Sequence, residues 1–433
     1  MPAGATYAVP FGRGQMHFTL PAGARALVAE PPPVPLLADP PSAIAESIAR
    51  PVASAPLRAL ARPGQHVTIA VTDMTRDCPD ALLLPPVLAE LEAAGVAPRD
   101  ITILIAAGMH RPSTAEERAE MLGEDIARRY SVIDHDASRP EGLVSLGHTS
   151  AGVPIVTNRL VAEADLLIAT GLVEPHLYAG FSGGSKTVAI GCAGEETITY
   201  THGPRFIEHS GTRLGRIEDN PFQDAVTEIG RKVGLRFVVN VVLDGEKRIV
   251  AVRSGEPAAV HAALVEVAKR VYQVSVPGAF DVAIGGVGYP KDSNLYQTSR
   301  VPCNLLFGPE PVVRRGGFVV VPAPCPEGAG LGVSELRFHE DMKRASSLEA
   351  IIEHARRDGY LAGGQRAFMV AKALQQCEMI VVGAQEPQVV RDLRMIPAAT
   401  MEEAWGIIEG RLGKELSVLI VPHALLTLPV IAR

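Results

Sequence analysis

Eight apolar segments recur along the chain, and each ends at glycine, proline or polar residues. Apolar runs of about four to eight residues between turn residues are typical of strands that are buried on both faces. These segments are 66–73, 100–108, 164–173, 235–244, 280–288, 316–324, 377–384 and 415–423. Helical patterns lie between them, among them 81–95, 113–130 and 257–272. The pattern therefore predicts strands that alternate with helices over most of the chain.

Alternation of strand and helix favours parallel sheets, because crossover helices cover both faces of such a sheet. We predict two α/β domains with mainly parallel sheets and a cleft between them that would hold the active site. The sequence QVSVPGAF at 273–280 interrupts a helical stretch and marks the boundary. The domains are thus expected at 1–274 and 275–413, with residues 414–433 returning to the first domain.

Composition and charge exclude several classes of function. The 433 residues include 47% hydrophobic and 21% charged residues, and the net charge is −7. Without a concentrated basic face, nucleic acid is not expected as a partner. No apolar stretch is long enough to span a membrane, and no signal peptide pattern is present, so we expect a cytoplasmic protein with no membrane partner. Five dispersed cysteines without a CxxC pair argue against disulfides and structural zinc.

Polar residues cluster where four of the predicted strands end. Ligands of open parallel sheets bind beyond the carboxyl ends of the strands, so these positions are candidates for a site. The candidates are Asp73, Thr75, Arg76, His110, His176, Lys186, Lys291, Tyr296, Gln297 and Arg300. Each histidine taken alone is more often structural, and Asp73 alone is as readily a helix cap. The functional interpretation rests on their convergence at one crevice.

A glycine-rich turn, GFSGGSK, ends in Lys186 and lies between His176 and His202. It resembles a phosphate loop but lacks the GxxxxGK[ST] spacing. A purely structural turn built on Gly183 and Gly184 is the alternative interpretation.

These residue types suit proton transfer at a carbon beside a carboxylate. Two imidazoles can serve as paired general acid and base near neutral pH, as a racemase or epimerase requires. Arg76 is suited to grip a carboxylate through two hydrogen bonds. His202 can supply an imidazole to a metal, although no cluster of side chains completes a metal shell.

Several motifs in this order resemble the nickel-dependent lactate racemases and their 2-hydroxyacid racemase and epimerase relatives. The motifs extend over nearly the whole chain, and each alone would be weak. They are FGRGQMHFTLP near the start, DMTR at 73–76, AAGMHRPST at 106–114, EPHLYAGFSGGSK at 174–186, THGP at 201–204, IEDNPFQD at 217–224 and YPKDSNLYQTSR at 289–300.

The resemblance implies a nickel-pincer nucleotide, which is a pyridinium mononucleotide with two sulfur-bearing arms, joined covalently to Lys186. His202 would be the protein's nickel ligand, and the cofactor would supply the other three. Gly183 and Gly184 would let the backbone approach the planar cofactor. The first domain would then be the catalytic and cofactor-tethering one. Separate cofactor-biosynthesis proteins would be partners, and the resemblance leaves a homodimer open.

The resemblance also assigns catalytic and binding roles. His110 and His176 would be the acid/base catalysts while the C2 hydride passes to the cofactor. Asp73, Thr75 and Arg76 would lie near the cofactor phosphate or the substrate carboxylate, without a division between these roles. In the second domain Tyr296 would lie near the cofactor and Gln297 near the substrate.

One position departs from the lactate racemase pattern. Lactate racemase has a lysine three residues after the matching glutamine, whereas this chain has Arg300. Arginine is bulkier and bidentate, which favours a substrate larger or more polar than lactate. Lys291 is either a further anion-binding residue or a solvated charge.

Three alternatives remain beside a 2-hydroxyacid racemase or epimerase. Within the enzyme class, the substrate could be a sugar acid or a dicarboxylate. From another class, the chain could be a nucleotide-binding or cofactor-carrying protein without turnover, which would need only Lys186 and His202. A zinc hydrolase lacks a ligand cluster.

Overall fold

The computed structural model describes residues 5–361 and 363–432, and two six-stranded sheets organise this part of the chain. Long unbroken Val, Ile and Leu runs form the central strands, because helices cover both faces of each sheet. The strands are β1 (Thr6–Phe11), β2 (Gly14–Thr19), β3 (Arg25–Val28), β4 (Val67–Thr72), β5 (Ile101–Ala106), β6 (Ser131–Asp134), β7 (Leu143–His148), β8 (Pro154–Asn158), β9 (Leu166–Leu172), β10 (Pro175–His176), β11 (Gly180–Phe181), β12 (Leu235–Leu243), β13 (Ile249–Gly255), β14 (Gln273–Val276), β15 (Phe280–Gly285), β16 (Val313–Pro322), β17 (Glu378–Val382), β18 (Ile396–Ala398), β19 (Ser417–Val421) and β20 (Leu428–Ile431).

Helices connect most of these strands, and short 3₁₀ turns lie at Pro98–Asp100, Pro140–Gly142 and Lys291–Ser293. The α-helices are α1 (Pro40–Ala49), α2 (Leu57–Leu60), α3 (Asp80–Ala93), α4 (Ala115–Leu122), α5 (Glu124–Arg129), α6 (Arg159–Ala162), α7 (Lys186–Ala189), α8 (Glu195–Thr201), α9 (Pro204–Ile207), α10 (Pro221–Lys232), α11 (Pro257–Tyr272), α12 (Leu295–Thr298), α13 (Arg300–Leu306), α14 (Val333–Arg344), α15 (Leu348–Asp358), α16 (Gly364–Leu374), α17 (Pro387–Asp392) and α18 (Met401–Leu412).

All eight predicted strands are confirmed, as β4, β5, β9, β12, β15, β16, β17 and β19. The predicted helix 257–272 coincides with α11. The predicted helix 113–130 is instead two helices, α4 and α5. Gly123 separates them with a φ of +87°, a backbone conformation that ends a right-handed helix.

The first sheet has the strand order β13-β12-β9-β4-β5-β6. All its neighbouring pairs are parallel except β12 with β13, which form an antiparallel edge. The chain builds outward from β4 through β5 and β6, and then crosses to β9 on the other side of β4. The order therefore reverses between β4 and β9, which opens a crevice at their carboxyl ends.

The second sheet has the order β18-β17-β16-β15-β19-β3, with every pair parallel. Here the order reverses between β15 and β19, because β16, β17 and β18 all lie on the other side of β15. The hairpin β1–β2 packs on the same unit, since Val9 and Phe18 belong to one buried cluster with Val282, Phe318 and residues of α18.

The predicted return of residues 414–433 to the first domain is wrong for β19. This strand pairs with β15 and β3 inside the second sheet, and β20 pairs with β14. The physical reason is that Ser417–Val421 is buried almost throughout, so it needs neighbours on both edges, and β15 and β3 supply them. Residues 25–28, which the sequence placed in the first domain, thereby join the second sheet.

The two units share one hydrophobic core rather than meeting at a thin boundary. Phe222 and Leu264 of the first unit lie in the same buried cluster as Val301, Phe368 and Leu428. No helix in the described part of the chain is long and apolar enough to cross a membrane.

An ion-pair network also joins the units at Glu208, which directly follows α9. Its carboxylate accepts two hydrogen bonds from Arg356 of α15, at 2.7 and 3.0 Å, and one from Lys372 of α16, at 2.8 Å. The hydrogen bonds from Arg356 lower the pKa of Glu208, and the bond from Lys372 lowers it further. Partial burial opposes them, and the resulting pKa is about 2.

We expect Glu208→Gln to lower the free energy of unfolding by about 1.5–3 kcal/mol at pH 7, the range for hydrogen bonds to charged groups. The pKa of Glu208 is lower in the folded protein than in an unfolded chain. Its stabilisation is therefore complete above about pH 4.3 and is lost as the pH falls towards 2. Chemical denaturation of both proteins across this range measures the difference.

Glu163→Gln is the matched control, because Glu163 pairs only with Arg159 on an exposed helix turn. If Glu208→Gln lowers the free energy of unfolding as little as Glu163→Gln does, Glu208 does not bridge the two units.

Candidate functional site

The first wall of the site lies at the β4–β9 crevice. His110 and Asp73 meet there because β5 and β4 are parallel neighbours, so the loops that follow them leave the same edge of the sheet. Asp73 Oδ2 lies 2.7 Å from His110 Nδ1, and Thr75 Oγ1 donates to Asp73 Oδ1 at 2.8 Å. A carboxylate only accepts, so His110 donates from Nδ1 and its Nε2 is left with a free lone pair. His110 remains more than half exposed.

Asp73 is the ionised partner in this pair. Burial raises the pKa of Asp73, but hydrogen bonds from His110 and Thr75 outweigh burial and leave it below its usual value. A fixed carboxylate on Nδ1 orients the imidazole and stabilises its protonated form. Asp73 and Arg76 thus have different protein partners, His110 and Glu174, while their roles towards the cofactor phosphate and the substrate carboxylate stay a prediction.

Arg76 turns towards the other side of the crevice. Its Nη1 donates to Glu174 Oε1 at 3.1 Å, and both side chains are largely buried. Glu174 follows β9, the strand beside β4, so this pair spans the point where the strand order reverses. Glu174 was not among the predicted site residues, although its place directly after an apolar strand was the available signal.

His176 has the opposite hydrogen-bond pattern to His110. The backbone N–H groups of Tyr178 and Ala179 donate to its Nδ1 at 3.3 and 3.1 Å. In this state Nδ1 is an acceptor and the ring proton is on Nε2. Burial lowers the pKa of His176 well below its usual range, and Lys186 and Arg76 lower it further. His176 is thus a neutral imidazole that presents a donor.

The glycine loop is held by close packing. At Gly183, with a φ of +87°, a Cβ would lie 2.5 Å from Val173 Cγ2, and at Gly184, with a φ of +55°, it would lie 3.0 Å from His261. Gly184 N donates to Asn240 Oδ1 at 2.7 Å. Protein atoms therefore account for both glycines, whereas the sequence suggested room for a cofactor.

This packing places Lys186 at the start of α7, half-buried in the crevice. Its amine has no hydrogen-bond or ion-pair partner in the part of the chain that the structure describes. Burial lowers the pKa of Lys186 to about 7, with Arg76 reinforcing burial and Glu174 opposing it. A substantial fraction of the amine is therefore neutral, and so nucleophilic, at neutral pH.

His202 ends α8 and is oriented by its own helix. Its Nδ1 lies 2.9 Å from the carbonyl oxygen of Ile198, so Nδ1 donates and Nε2 keeps a lone pair. Burial lowers the pKa of His202 to about 4, against the opposing effect of the Ile198 bond, and the ring is neutral at pH 7. The rings of Tyr178 and Phe222 contact it edge-on, with centroids 5.5 and 5.2 Å away. A neutral, fixed imidazole is the form that ligates metals.

The second wall comes from the loop after β15, at the other strand-order reversal. Arg300 Nη1 donates to Gln297 Oε1 at 3.3 Å. Burial lowers the pKa of Arg300 to about 10, and the neighbouring Arg366 and Arg76 lower it further. Burial and Arg300 also lower the pKa of Lys291. Charges from both units thus influence one another across a single cleft.

Arg366 was missed by sequence reasoning. It lies in the first turn of α16, and its guanidinium carbon lies 4.7 Å from the centre of the Tyr296 ring, which also meets Phe338 edge-on. No strand end signals this residue. The signal was a charged residue directly before the apolar stretch 367–371, which is buried in the structure.

The residues present fit an anionic cofactor that bonds to an amine and carries a metal. Lys186 offers the amine, His202 offers one imidazole, and Arg76 offers positive charge. Among residues 5–361 and 363–432, no three His, Cys, Asp or Glu side chains lie together as metal ligands. A metal at His202 would therefore take its remaining ligands from the cofactor.

Family comparisons agree with this geometry. Residues 11–215 match the model of the lactate racemase N-terminal domain, and residues 278–428 match that of the lactate racemase C-terminal domain. The chain belongs to the lactate racemase family. Family membership makes it a racemase, an enzyme of the isomerase class.

Two curated relatives are similar over most of their length. The lactate racemase of Thermoanaerobacterium thermosaccharolyticum is 30% identical over 380 residues, which cover 88% of each chain. The lactate racemase of Lactiplantibacillus plantarum is 30% identical over 387 residues, which cover 88% of this chain and 89% of the relative.

Solved structures show the same fold. The lactate racemase apoprotein from T. thermosaccharolyticum superposes with a TM-score of 0.88 at 26% identity, over 99% of this chain and all of that one. A protein from Thermotoga maritima has a TM-score of 0.69 at 18% identity, over 90% of this chain and 98% of its own. The latter likeness concerns the fold alone.

We expect Lys186 to react with an acylating reagent at lower pH than exposed lysines do. The rate of its acetylation should reach half its maximum near pH 7, because the neutral amine is the nucleophile. Peptide mass spectrometry of the apoprotein, labelled briefly at a series of pH values, measures this rate.

Lys414, which is exposed, provides the internal reference peptide in the same digest. Glu174→Gln should shift the Lys186 profile to still lower pH, because it removes a neighbouring negative charge. A half-maximal rate near pH 10 for Lys186 would refute its depressed pKa.

Proposed function

We propose that this racemase interconverts the C2 configuration of a 2-hydroxy acid, using a nickel-pincer nucleotide attached to Lys186. The observation that carries the proposal is the arrangement of Lys186, His202 and His176 around one cleft. The rings of His176 and His202 both contact Tyr178 edge-on, with centroids 5.9 and 5.5 Å from it, and the charge of Lys186 acts on His176. Family membership and the match to a lactate racemase apoprotein support the same chemistry.

Within this proposal, Lys186 would form the covalent link and His202 Nε2 would bind the nickel. The carbonyl of Ile198 fixes the orientation of the His202 ring, so the Nε2 lone pair is already oriented for a ligand. When bound, the nickel-pincer nucleotide would supply the acceptor and donor for the C2 hydride. Separate cofactor-biosynthesis proteins would have to supply this nucleotide, because the reaction proposed for this chain does not make it.

His110 is the residue we assign as general base for the substrate hydroxyl. Its Nε2 is free, and Asp73 holds the proton on Nδ1, so a proton accepted at Nε2 creates an imidazolium beside a carboxylate. His110 can later return that proton to the product oxygen. General acid/base catalysis of this kind contributes about 10²–10⁴-fold to the rate.

His176 would act from the opposite side with its proton on Nε2. In this protonation state it would donate a hydrogen bond to the substrate oxygen, and burial keeps the ring neutral. To act as a base in turn, the ring would have to release Nδ1 from the Tyr178 and Ala179 N–H groups. The two histidines therefore begin the reaction in different protonation states.

The substrate carboxylate would be bound by the cations of the cleft. Arg76 is partly neutralised by Glu174, whereas Lys291 and Arg300 have no carboxylate within ion-pair distance in the described part of the chain. Lactate is the substrate named for the two curated relatives. A 2-hydroxy acid is thus the substrate class that we propose here.

A cofactor-carrying protein without turnover is the competing function. Such a protein would need Lys186 and His202 but would have no use for a carboxylate-oriented imidazole. The Asp73–His110 pair, at 2.7 Å and open to the cleft, favours catalysis.

We expect the intact mass of protein co-expressed with the cofactor-making enzymes to show an adduct on Lys186. His202→Ala should keep that adduct but lose most of its nickel, because the covalent link does not depend on the imidazole. Peptide mapping and metal analysis measure the two quantities separately.

Lys186→Ala should lose both adduct and nickel, and His209→Ala, a histidine on a nearby loop, should keep both. Full nickel content in His202→Ala would rule out His202 as the ligand.

We expect His110→Ala and His176→Ala to keep the cofactor and to lose about 10²–10⁴-fold in kcat/KM. Conversion of each enantiomer of a panel of 2-hydroxy acids, followed by chiral chromatography, measures the loss. Because His176 begins as a donor, His176→Gln should retain more activity than His176→Ala.

His148→Ala is the control for this series, since His148 is exposed on β7, which pairs with β8 in a separate two-stranded sheet. Wild-type racemisation by His110→Ala would refute the assignment of the base. If no 2-hydroxy acid is converted by protein shown to carry nickel, the proposed function fails.

A further inference from the structure

Arg366 has a hydrogen-bonding group that the protein leaves without a partner. Its Nε is buried and makes no hydrogen bond in the part of the chain that the structure describes. The guanidinium stacks on Tyr296, at 4.7 Å from the ring centre, so packing holds it in place. A buried, fixed and unsatisfied N–H is costly unless a ligand accepts from it.

Arg300 is in a similar position. In the described part of the chain, its side chain makes a single hydrogen bond, a long one of 3.3 Å to the neutral amide of Gln297. No carboxylate lies within 4 Å of either arginine in the described residues. The nearest candidate, Glu174, is already engaged by Arg76.

The two guanidiniums are anchored on neighbouring residues of α12. Arg366 stacks on Tyr296, and Arg300 donates to Gln297, the next residue along the chain. Helix α13, which begins at Arg300, packs against α16, which carries Arg366. Like charges held together in a half-buried cleft favour an anion between them, since an unpaired buried charge is unfavourable. Guanidinium forks match a carboxylate bidentately.

This arginine pair lies beside the reacting groups. The charges of both arginines act on Tyr178, whose ring contacts that of His202 edge-on, with centroids 5.5 Å apart. Arg300 also contributes to the depressed pKa of His176. The hydroxyl of Tyr360, just before α16, donates to the backbone oxygen of His202 at 2.6 Å. This bond ties the start of the helix that carries Arg366 to His202.

We propose that Arg300 and Arg366 form a subsite for a second carboxylate, so that the substrate is a 2-hydroxy dicarboxylate. The inference rests on the proposed racemase function, because it assigns the far end of that substrate. Arg76 and Lys291 would bind the carboxylate next to C2, and the arginine pair would bind the distal one. A methyl group, as in lactate, would leave Arg366 Nε unsatisfied.

Binding to the apoprotein tests the subsite independently of turnover. Isothermal titration calorimetry compares succinate, a dicarboxylate, with propanoate, its monocarboxylate counterpart. We expect succinate to bind at least tenfold more tightly than propanoate. Arg366→Gln should weaken succinate binding by about 10–100-fold. Arg357→Gln, on an exposed turn and paired with Asp358, should change nothing.

Turnover of the nickel-loaded enzyme provides the second test. We expect kcat/KM for malate to exceed that for lactate by at least tenfold. Arg366→Gln should reduce kcat/KM for malate by about 10–100-fold and that for lactate by less than threefold. Arg300→Lys should narrow the preference, because lysine loses the bidentate contact.

Equal succinate and propanoate affinities, or Arg366→Gln binding succinate as wild type does, would overturn the inference. Lactate as the best substrate would also overturn it, and Arg300 would then only replace a lysine at the common carboxylate. Circular dichroism checks that Arg366→Gln folds, and Arg366→Lys, which keeps the charge, should recover part of the succinate affinity. If succinate binds as expected but no 2-hydroxy acid is converted, the subsite is supported and the racemase proposal fails.

Discussion

The site depends on one constraint of parallel sheets, the single reversal of strand order in each. Between β4 and β9, and again between β15 and β19, neighbouring loops leave in opposite directions and open a crevice. Most of the residues with candidate roles lie in the segments that follow β4, β5, β9 and β15, whereas Arg366 lies on α16. Because the two units share one core, packing holds the two crevices in a fixed relation.

Positive charge is the second constraint, and it follows from the first. The loops bring Arg76, Lys186, Lys291 and Arg300 into one cleft, where burial weakens the hold of water on each charge. Of these four residues, Arg76 alone has a carboxylate partner within the described part of the chain, which is Glu174. The cleft therefore carries an excess of positive charge, which an anionic ligand would neutralise.

Much of the fold could be predicted because its central strands are unbroken apolar runs. The strand-end rule also found Asp73, His110, His176 and Lys186, which the structure brings together. It could not find Arg366, whose helix reaches the cleft only through tertiary packing. Nor could it place β19, since a short apolar strand is equally suited to either sheet and only its pairing with β15 and β3 decides.

Protonation states were likewise beyond the sequence. His110 and His176 are the same residue type at similar positions, yet one donates from Nδ1 to a carboxylate and the other accepts there from backbone N–H groups. Only the local backbone path distinguishes them. Likewise, the low pKa of Lys186 results from burial beside Arg76, which a linear sequence does not show.

The interleaving of the second sheet has a consequence for how the chain folds as it is made. β3 is synthesised early, but its partner β19 is among the last strands to emerge. The first sheet, by contrast, draws all its strands from one uninterrupted stretch between them and can assemble while synthesis continues. The hairpin β1–β2 must therefore remain without its sheet during most of translation, and closure of β19 beside β15 completes the cleft as a late step.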